Sequence, residues 1–372
     1  MEITLVNSED AFDELEADWE QLADCSNASY FSSYSYVRTA WRIYKQPIDH
    51  LAILVISEQG SPVGIAPFFT TETRIRGIVC RSLNFIGLWQ GDRPEIIAIG
   101  DKSRIWRESF NYLCNRYPSW NEINLIEQPV LGPGEKGWDF LRRSGLYWKQ
   151  SLDYVDYYIS LEGSFDDYLK RLSSNTRGDW RRKSRRFKEQ VGSIEVESVS
   201  EPRQLAAALD RFFALERLGW KIDAGVAAGQ TRSDVEFLSE IVHGLGDTGA
   251  VKIYFLKSGD TDAACIVNFY HRGIVYMKHI VYHPDYGKFS PGIILLGEVI
   301  RDLFTTEFKE YDLLGTYMSS PERYKLQWAK EVRETVEWNG YRIAGRLLPW
   351  VIMNRLKSDL SGVVKKIRHS EK

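Results

Sequence analysis

Cysteine and histidine are scarce in this chain of 372 residues, which has four of the first and six of the second. Cys25, Cys80, Cys114 and Cys265 form no CxxC pair, and no HxH or HExxH spacing occurs. That pattern argues against a structural or catalytic metal, and the thiols read as reduced core residues of a cytosolic protein. Long apolar runs are missing too. Apolar runs such as Ile293 to Leu296 fall far short of the ~18 residues of a membrane span. The acidic N-terminus, MEITLVNSEDAFDELE, lacks the apolar centre of a signal peptide, so a cytoplasmic location is expected. Nor is there an excess of one charge: 48 Lys and Arg meet 51 Asp and Glu, a net −3. The protein as a whole is therefore no electrostatic binder of nucleic acid, and any anion site must be local.

What is present is a globular composition, 44% apolar, in a chain long enough for two domains. Ser8 caps an acidic, helix-periodic stretch through Phe12, Leu15, Trp19 and Leu22, and a second helix spans Tyr34 to Tyr44. Strands follow at Leu51–Ser57 and Val63–Thr70 across a Gly60-Ser61-Pro62 turn, then at Ser82–Ile86 and Glu95–Ile99. A helix at Arg104–Arg116 and a strand at Glu122–Ile126 complete the half. The second half repeats the scheme. Phe165–Lys188 is helical behind a Ser164/Asp167 capping box, and Leu205–Leu218 and Asp234–Leu245 are further helices. Strands at Val251–Lys257, Ala263–Tyr270 and Ile274–Val281 lead to a helix at Pro291–Phe304 and a strand at Glu310–Leu314. LAILVISEQGSPVGIAPFF and VKIYFLKSGDTDAACIVNFY nearly match in length and share turn position and alternation, as a duplicated domain would. A break near Ser151–Asp156, between strand-like Tyr147–Gln150 and Val155–Leu161, sets domains at 1–155 and 156–344. Residues 345–372 form a basic amphipathic tail.

Two compositional features stand out. Lys170 to Lys188 holds nine basic residues against Asp179 and the adjacent Glu189, and Arg177, Arg181 and Arg185 recur at one helical face. That face reads either as a clamp for phosphate or carboxylate, or as a strip facing an acidic neighbour. Twelve tryptophans supply mostly core; Trp89, Trp220 and Trp328 also border segments where a ligand ring would stack.

The most informative stretch is VYHPDYGKFSPGIILLGEVIRDLF, Val281 to Phe304. A strand enters a polar turn, and Ser290-Pro291-Gly292 opens a helix. Proline is pre-organised at a first helical position, glycine admits close approach, and the exposed amides and dipole of that turn attract an anion. Beyond it, EYDLLGTYMSSPERYK places Asp312 within an apolar strand, which requires a partner, a buried ion pair or a cap.

These runs, Tyr282…Asp285-Tyr286…Ser290-Pro291-Gly292 and Tyr311-Asp312…Gly315…Tyr324-Lys325, together with Leu215-Glu216…Gly219-Trp220-Lys221, resemble the GNAT acyltransferase superfamily. The similarity is to its CelD-like, cellulose-biosynthesis branch, related to tandem-GNAT Fem-type transferases. Phe31–Trp41, Gly64-Ile65-Ala66-Pro67 and Leu83–Gly87 extend it into the first half. The resemblance implies an α+β fold of two tandem GNAT-like domains, each a mixed, mostly antiparallel sheet flanked by helices. It implies an acyl-CoA donor whose diphosphate sits at Ser290, Pro291, Gly292 and Ile293. Tyr282 borders that seat, and the pantetheine pairs with the strand before it. Glycines are fewer here than in many GNAT phosphate loops, and Lys288 stands as a substitute contact. The first domain reads as a degenerate copy that shapes the acceptor cleft.

Aminolysis of a thioester needs a neutral amine, a stabilised oxyanion and a protonated leaving thiolate, with no covalent nucleophile and no metal. Glu216, beside the apolar face of its helix, is the candidate base. Tyr324 is the candidate acid, Lys325 the oxyanion or acceptor contact, and Asp312 the residue that orients it. Trp220, Lys221, Arg182 and Trp89 are candidate acceptor contacts. The expected acceptor is an amine on an amino sugar, glycan precursor or small metabolite. An acyl-carrier protein is a possible partner, and nucleic acid is not expected. Two other readings stay open: Fem-type transfer from aminoacyl-tRNA, and a non-catalytic role in polysaccharide assembly.

Overall fold

The computed structural model describes residues 1–26, 28–75, 78–87, 92–116, 120–129, 141, 146–219, 227–317 and 324–342. Trp89, Trp220, Lys221 and the expected tail at 345–372 lie outside them. The chain divides into two compact units. The first comprises Met1–Val37, Lys45–Leu152 and the described part of Val336–Lys372; the second comprises Arg38–Tyr44 and Asp153–Thr335.

In the first unit, β1 (Glu2–Val6) leads to α1 (Glu9–Asp13), α2 (Glu16–Ser26) and the start of α3 (Tyr34–Tyr44). Ser8 caps α1 by accepting from the Ala11 amide, and the expected single helix through Leu22 is two. Then come β2 (His50–Glu58), β3 (Ser61–Ile75), β4 (Ile78–Phe85), the short β5 (Ile97–Ala98), α4 (Lys102–Asn115) and β6 (Glu122–Pro129). β1, β2, β3 and β4 pair antiparallel in that order, and β4 pairs β6 in parallel. Phe68, Phe85, Trp106 and Trp120 fill the core under α4. Apolar residues alternate with polar ones on β4, so that one face packs on this helix while the other stays polar.

β7 (Leu146–Ser160) is one continuous strand where two were expected, and it contributes residues to both units. The second unit continues with α5 (Phe165–Arg171), α6 (Ser174–Gln190), β8 (Glu195–Val199), α7 (Pro202–Leu218) and α8 (Arg232–Asp247). The helix expected over 165–188 breaks after Arg171, because Leu172 is extended and Ser173 starts a new cap on Thr176. β9 (Val251–Ser258), β10 (Thr261–His271), β11 (Ile274–Tyr282), α9 (Pro291–Leu303), β12 (Glu310–Tyr317), α10 (Tyr324–Trp328) and β13 (Glu331–Arg342) follow. β8, β9, β10 and β11 pair antiparallel in order, and β11 pairs β12 in parallel. β12 also pairs β7 antiparallel.

The strands of the two units therefore repeat the same sequence of senses, with a helix (α4, α9) before each parallel pairing. This is a tandem GNAT-type architecture. The repeat extends to local detail. Each parallel pairing covers three residues, Ser82–Asn84 with Glu122–Asn124 and Ile274–Tyr276 with Glu310–Asp312. Shortly beyond each, the second strand carries a left-handed non-glycine residue, Glu127 (φ 51°) in β6 and Leu314 (φ 59°) in β12.

α9 is buried along most of its length, with Ile294, Leu295, Leu296, Val299, Ile300 and Leu303 in the core. Gly297 has a packing reason. A Cβ there would collide with the Trp180 indole and come within 2.9 Å of Trp328, so glycine lets α6 and α10 close on the helix.

Candidate active site

Past Tyr276 and Asp312, β11 and β12 no longer pair, and β12 continues on β7. A wedge opens between them, and both strands deform at its apex.

On β11 the register to β10 slips: Met277 faces Asn268 and His279 faces Val267, so Lys278 is the extra residue of a bulge. Such a bulge re-aims the side chains after it. Val275 and Met277 belong to the core beneath α9. Strict alternation would put His279 with them. The extra residue instead sends Ile280 to that side, where it lies close to Gly292, and His279 to the α7 side, where its ring lies 5.4 Å from Phe212. Lys278, His279 and Ile280 are all half-buried. Alternation had hidden His279 from sequence reasoning; its one signal is the Lys-His pair interrupting an apolar strand.

On β12, Asp312 is fully buried, and its Oδ1 accepts the Leu314 amide at 2.8 Å. Arg333 donates to its Oδ2 at 3.3 Å and also pairs with Glu310. Lys325, 5% exposed, donates from Nζ to the carbonyl oxygens of Gly315 at 3.0 Å and Leu314 at 3.5 Å. A left-handed leucine costs about 1–2 kcal/mol, and these charge-assisted bonds offset it. Asp312 thus has the partner its burial demands, and it is Arg333, which the sequence did not point to. Tyr324, half-buried, precedes Lys325 at the start of α10.

Glu216 is 2% exposed near the end of α7. Its two oxygens accept the amides of Ala228 and Gly229 at 2.9 and 2.8 Å. It lies one turn beyond Phe212, on the face that meets His279.

On the α9 side, Pro284–Phe289 form a 3-10 turn, and Ser290 (φ 55°, ψ 57°) precedes the helix without a side-chain cap. The amides of Ile293 and Ile294 both turn to the Ser290 carbonyl, at 3.0 and 3.2 Å. Proline has no amide, so Gly292 supplies the N–H this turn has for a ligand. Tyr282 is 39% exposed, and a Cβ added at either Gly287 or Gly292 would come within 4.0 Å of its ring. A Cβ at Gly292 would meet Ile280 at 3.5 Å, so packing alone does not require glycine there. Lys288 lies 4.9 Å from the centroid of the Phe289 ring.

The basic helix divides its cations. Arg177 does not share a free face with Arg181 and Arg185: its guanidinium donates to the carbonyls of Leu169, Lys170 and Leu172 and closes α5. Arg182 and Lys183 both pair with Asp179. Cys80 and Cys265 are buried, Cys114 is half-buried, and Cys25 is exposed rather than in the core. Burial, with the nearby Glu122 carboxylate, raises the Cys80 thiol to about 12. No described helix is long and apolar enough to cross a membrane.

Residues 174–326 match the family described as "Acetyltransferase (GNAT) domain", a stretch containing α7, β11, α9 and β12. Among solved structures, FemX superposes with a TM-score of 0.61 at 13% identity, covering 95% of this chain and 100% of its own. A conserved protein of unknown function from Bacteroides thetaiotaomicron gives 0.52 at 12% identity, covering 91% and 99%. At these identities the likeness is one of fold. No curated protein sequence matches the chain. The protein is an acyltransferase enzyme of GNAT-type fold.

Proposed function

We propose that the protein transfers an acyl group from acyl-CoA to an amine by direct attack, with the thioester held in the wedge between β11 and β12. The observation that carries this reading is the coincidence of three features. The parallel pairing stops after Tyr276, β11 bulges at Lys278, and the uncapped turn of α9 lies beside the same strand. A pantetheine arm pairs with a strand edge, and the pairing of β11 to β12 ends at Tyr276. The donor diphosphate sits on the Gly292 amide, with the helix dipole and Lys288 opposing its charge. Tyr282 walls the seat.

Threaded this way, the donor enters from the α9 side and presents its carbonyl at the α7 side. There the amine nitrogen attacks the carbonyl carbon, the C–N bond forms and the C–S bond breaks. The oxyanion forms against the backbone of the β11 bulge at Lys278. His279 takes the proton of the attacking amine, and Tyr324 returns one to the departing thiolate. Glu216 is the other candidate base, but both its oxygens hold backbone amides. It serves this reading as a positioning residue that fixes the chain after α7, beside Phe212 and His279. Asp312 and Lys325 hold the β12 side of the wedge open.

For the acceptor we propose an amine on an amino sugar or glycan precursor, in line with the CelD-like motifs, handled in the cytoplasm. Trp89, Trp220, Lys221 and Arg182 remain its proposed contacts. The test is thiol release from acetyl-CoA and longer acyl-CoAs across a panel of amino sugars, amino acids and polyamines, with mass spectrometry of the amide. Amine-dependent release with an amide of matching mass supports the reading; acyl-CoA that neither binds nor turns over with any amine defeats it.

A further inference from the structure

The outer face of α6 is more cationic than a nucleotide donor requires. Trp180 and Phe187 point inward, the first against Gly297 of α9 and Trp328, the second against Tyr286 and Phe289. The opposite face carries Arg181, Arg182, Arg185, Arg186 and Lys188, all exposed. Only two carboxylates on the helix answer them. Asp179 is shared by Arg182 and Lys183, and Glu189 lies 3.8 Å from Arg185. The strip leads to the donor seat. Arg186 and Lys288 both stand over the ring of Phe289, at 5.9 and 4.9 Å from its centroid, and Phe289 immediately precedes Ser290.

We propose that this face docks an acidic carrier protein, which presents the acyl group on a phosphopantetheine arm. The proposal rests on the transferase reading above and specifies its donor. Three arguments favour a protein. A helix of 17 residues is about 25 Å long at 1.5 Å per residue, so its cations extend beyond the first turn of α9 and Lys288, where free CoA would be met. No apolar or aromatic side chain interrupts the outer face, which excludes the inserted stripe of a membrane-bound helix and the stacking platform of a single-stranded nucleic acid site. The chain as a whole carries a net −3, so the cationic strip complements one acidic helix rather than a broad polyanion. The reaction balances as before. The carrier thioester loses its C–S bond, the amine nitrogen gains the acyl carbon, and the amine proton ends on the carrier thiol.

The experiment compares the wild type with the triple variant R181E/R185E/K188E, using acetyl-CoA and an acetylated, phosphopantetheine-loaded acidic acyl-carrier protein as donors. Carrier binding is measured separately by titration at low and high salt. The expected result is a loss of about tenfold or more in carrier-dependent kcat/KM and in carrier affinity, while acetyl-CoA kcat/KM stays within about twofold. Wild-type carrier binding should also weaken steeply with salt. Neutral substitution at the same three positions should give a smaller loss of the same sign. A carrier that does not bind the wild type, or that binds both proteins alike, overturns the proposal, and acetyl-CoA turnover in that case leaves the transferase reading standing. Strip-dependent binding of tRNA in place of the carrier overturns it in favour of a nucleic acid. Absence of turnover with either donor, despite carrier binding, sinks the transferase reading and leaves the docking surface.

Discussion

Asp312 and Lys325 grip Leu314 of β12 from opposite polarity: the carboxylate takes the Leu314 amide, and the ammonium caps the Leu314 carbonyl together with that of Gly315. The left-handed leucine between them marks an irregularity in the strand where its pairing to β11 has ended, and β12 resumes its pairing with β7 at Gly315. The pair forms the hinge of the wedge, and its cost in backbone strain is met by groups buried for that purpose.

D312A should therefore destabilise the protein by about 2–4 kcal/mol, because it leaves the Leu314 amide unsatisfied and strips Arg333 of a partner. Urea unfolding measures it. D312N, which can still accept the amide, should cost less than D312A. Equal stability of D312A and wild type would show that the bulge holds without the carboxylate.

E216Q should lower stability by about 1–3 kcal/mol, since an amide nitrogen would then face one of the two donors at Ala228 and Gly229. The catalytic pH profile should keep its shape. H279N should instead remove the acidic limb of the profile, the rise of activity with pH that reports deprotonation of the proton acceptor, with stability little changed. If E216Q removes that limb while H279N keeps it, the two roles are exchanged.

G297A should cost about 1–3 kcal/mol by overpacking, because the added methyl meets two indole rings fixed by the core. Heat denaturation should show a lower Tm with acyl-CoA affinity retained once folded. An unchanged Tm would mean that α6 moves aside freely.

Arg211 binds the carboxylates of Glu197 and Asp262 with distances of 2.7–3.0 Å. The Arg211 hydrogen bond lowers Glu197 below its usual value. For Asp262, burial pushes upward, but the bonds from Arg211 and Lys257 outweigh it and the net shift is also down. Lowered folded values mean that this stabilisation is complete above the unfolded carboxylate range, about 4–4.5, and fades as pH falls through the folded values. R211Q should thus be destabilised at pH 7 by about 1 kcal/mol, the figure discounted for partial exposure, and the difference should shrink towards pH 3. A gap that stays constant with pH would rule out the ionic contribution.

Much of the fold was legible because its signals are local. The paired hairpins, the proline-opened α9 and the cap at Ser164 all follow from turn chemistry and period. The duplication showed in the parallel between the two hairpins. The bulge on β11 was not legible. Its register slip depends on β10 across the ladder, and it reverses the sides that alternation assigns to His279 and Ile280. Asp312 announced a buried partner without identifying it, since Arg333 is 21 residues away and meets it only in the folded sheet. Arg177 looked like one of a row of phosphate-binding cations. The break at Leu172–Ser173 exposes three carbonyls, and those take it.

The central claim is that the wedge is the donor's channel, and a crystal structure with bound CoA tests it most directly. The account predicts diphosphate density against the Gly292 amide and Lys288, and pantetheine running along β11 past Lys278 to end beside His279. Density for CoA elsewhere on the molecule, with the gap between β11 and β12 filled by the protein's own side chains, would contradict it.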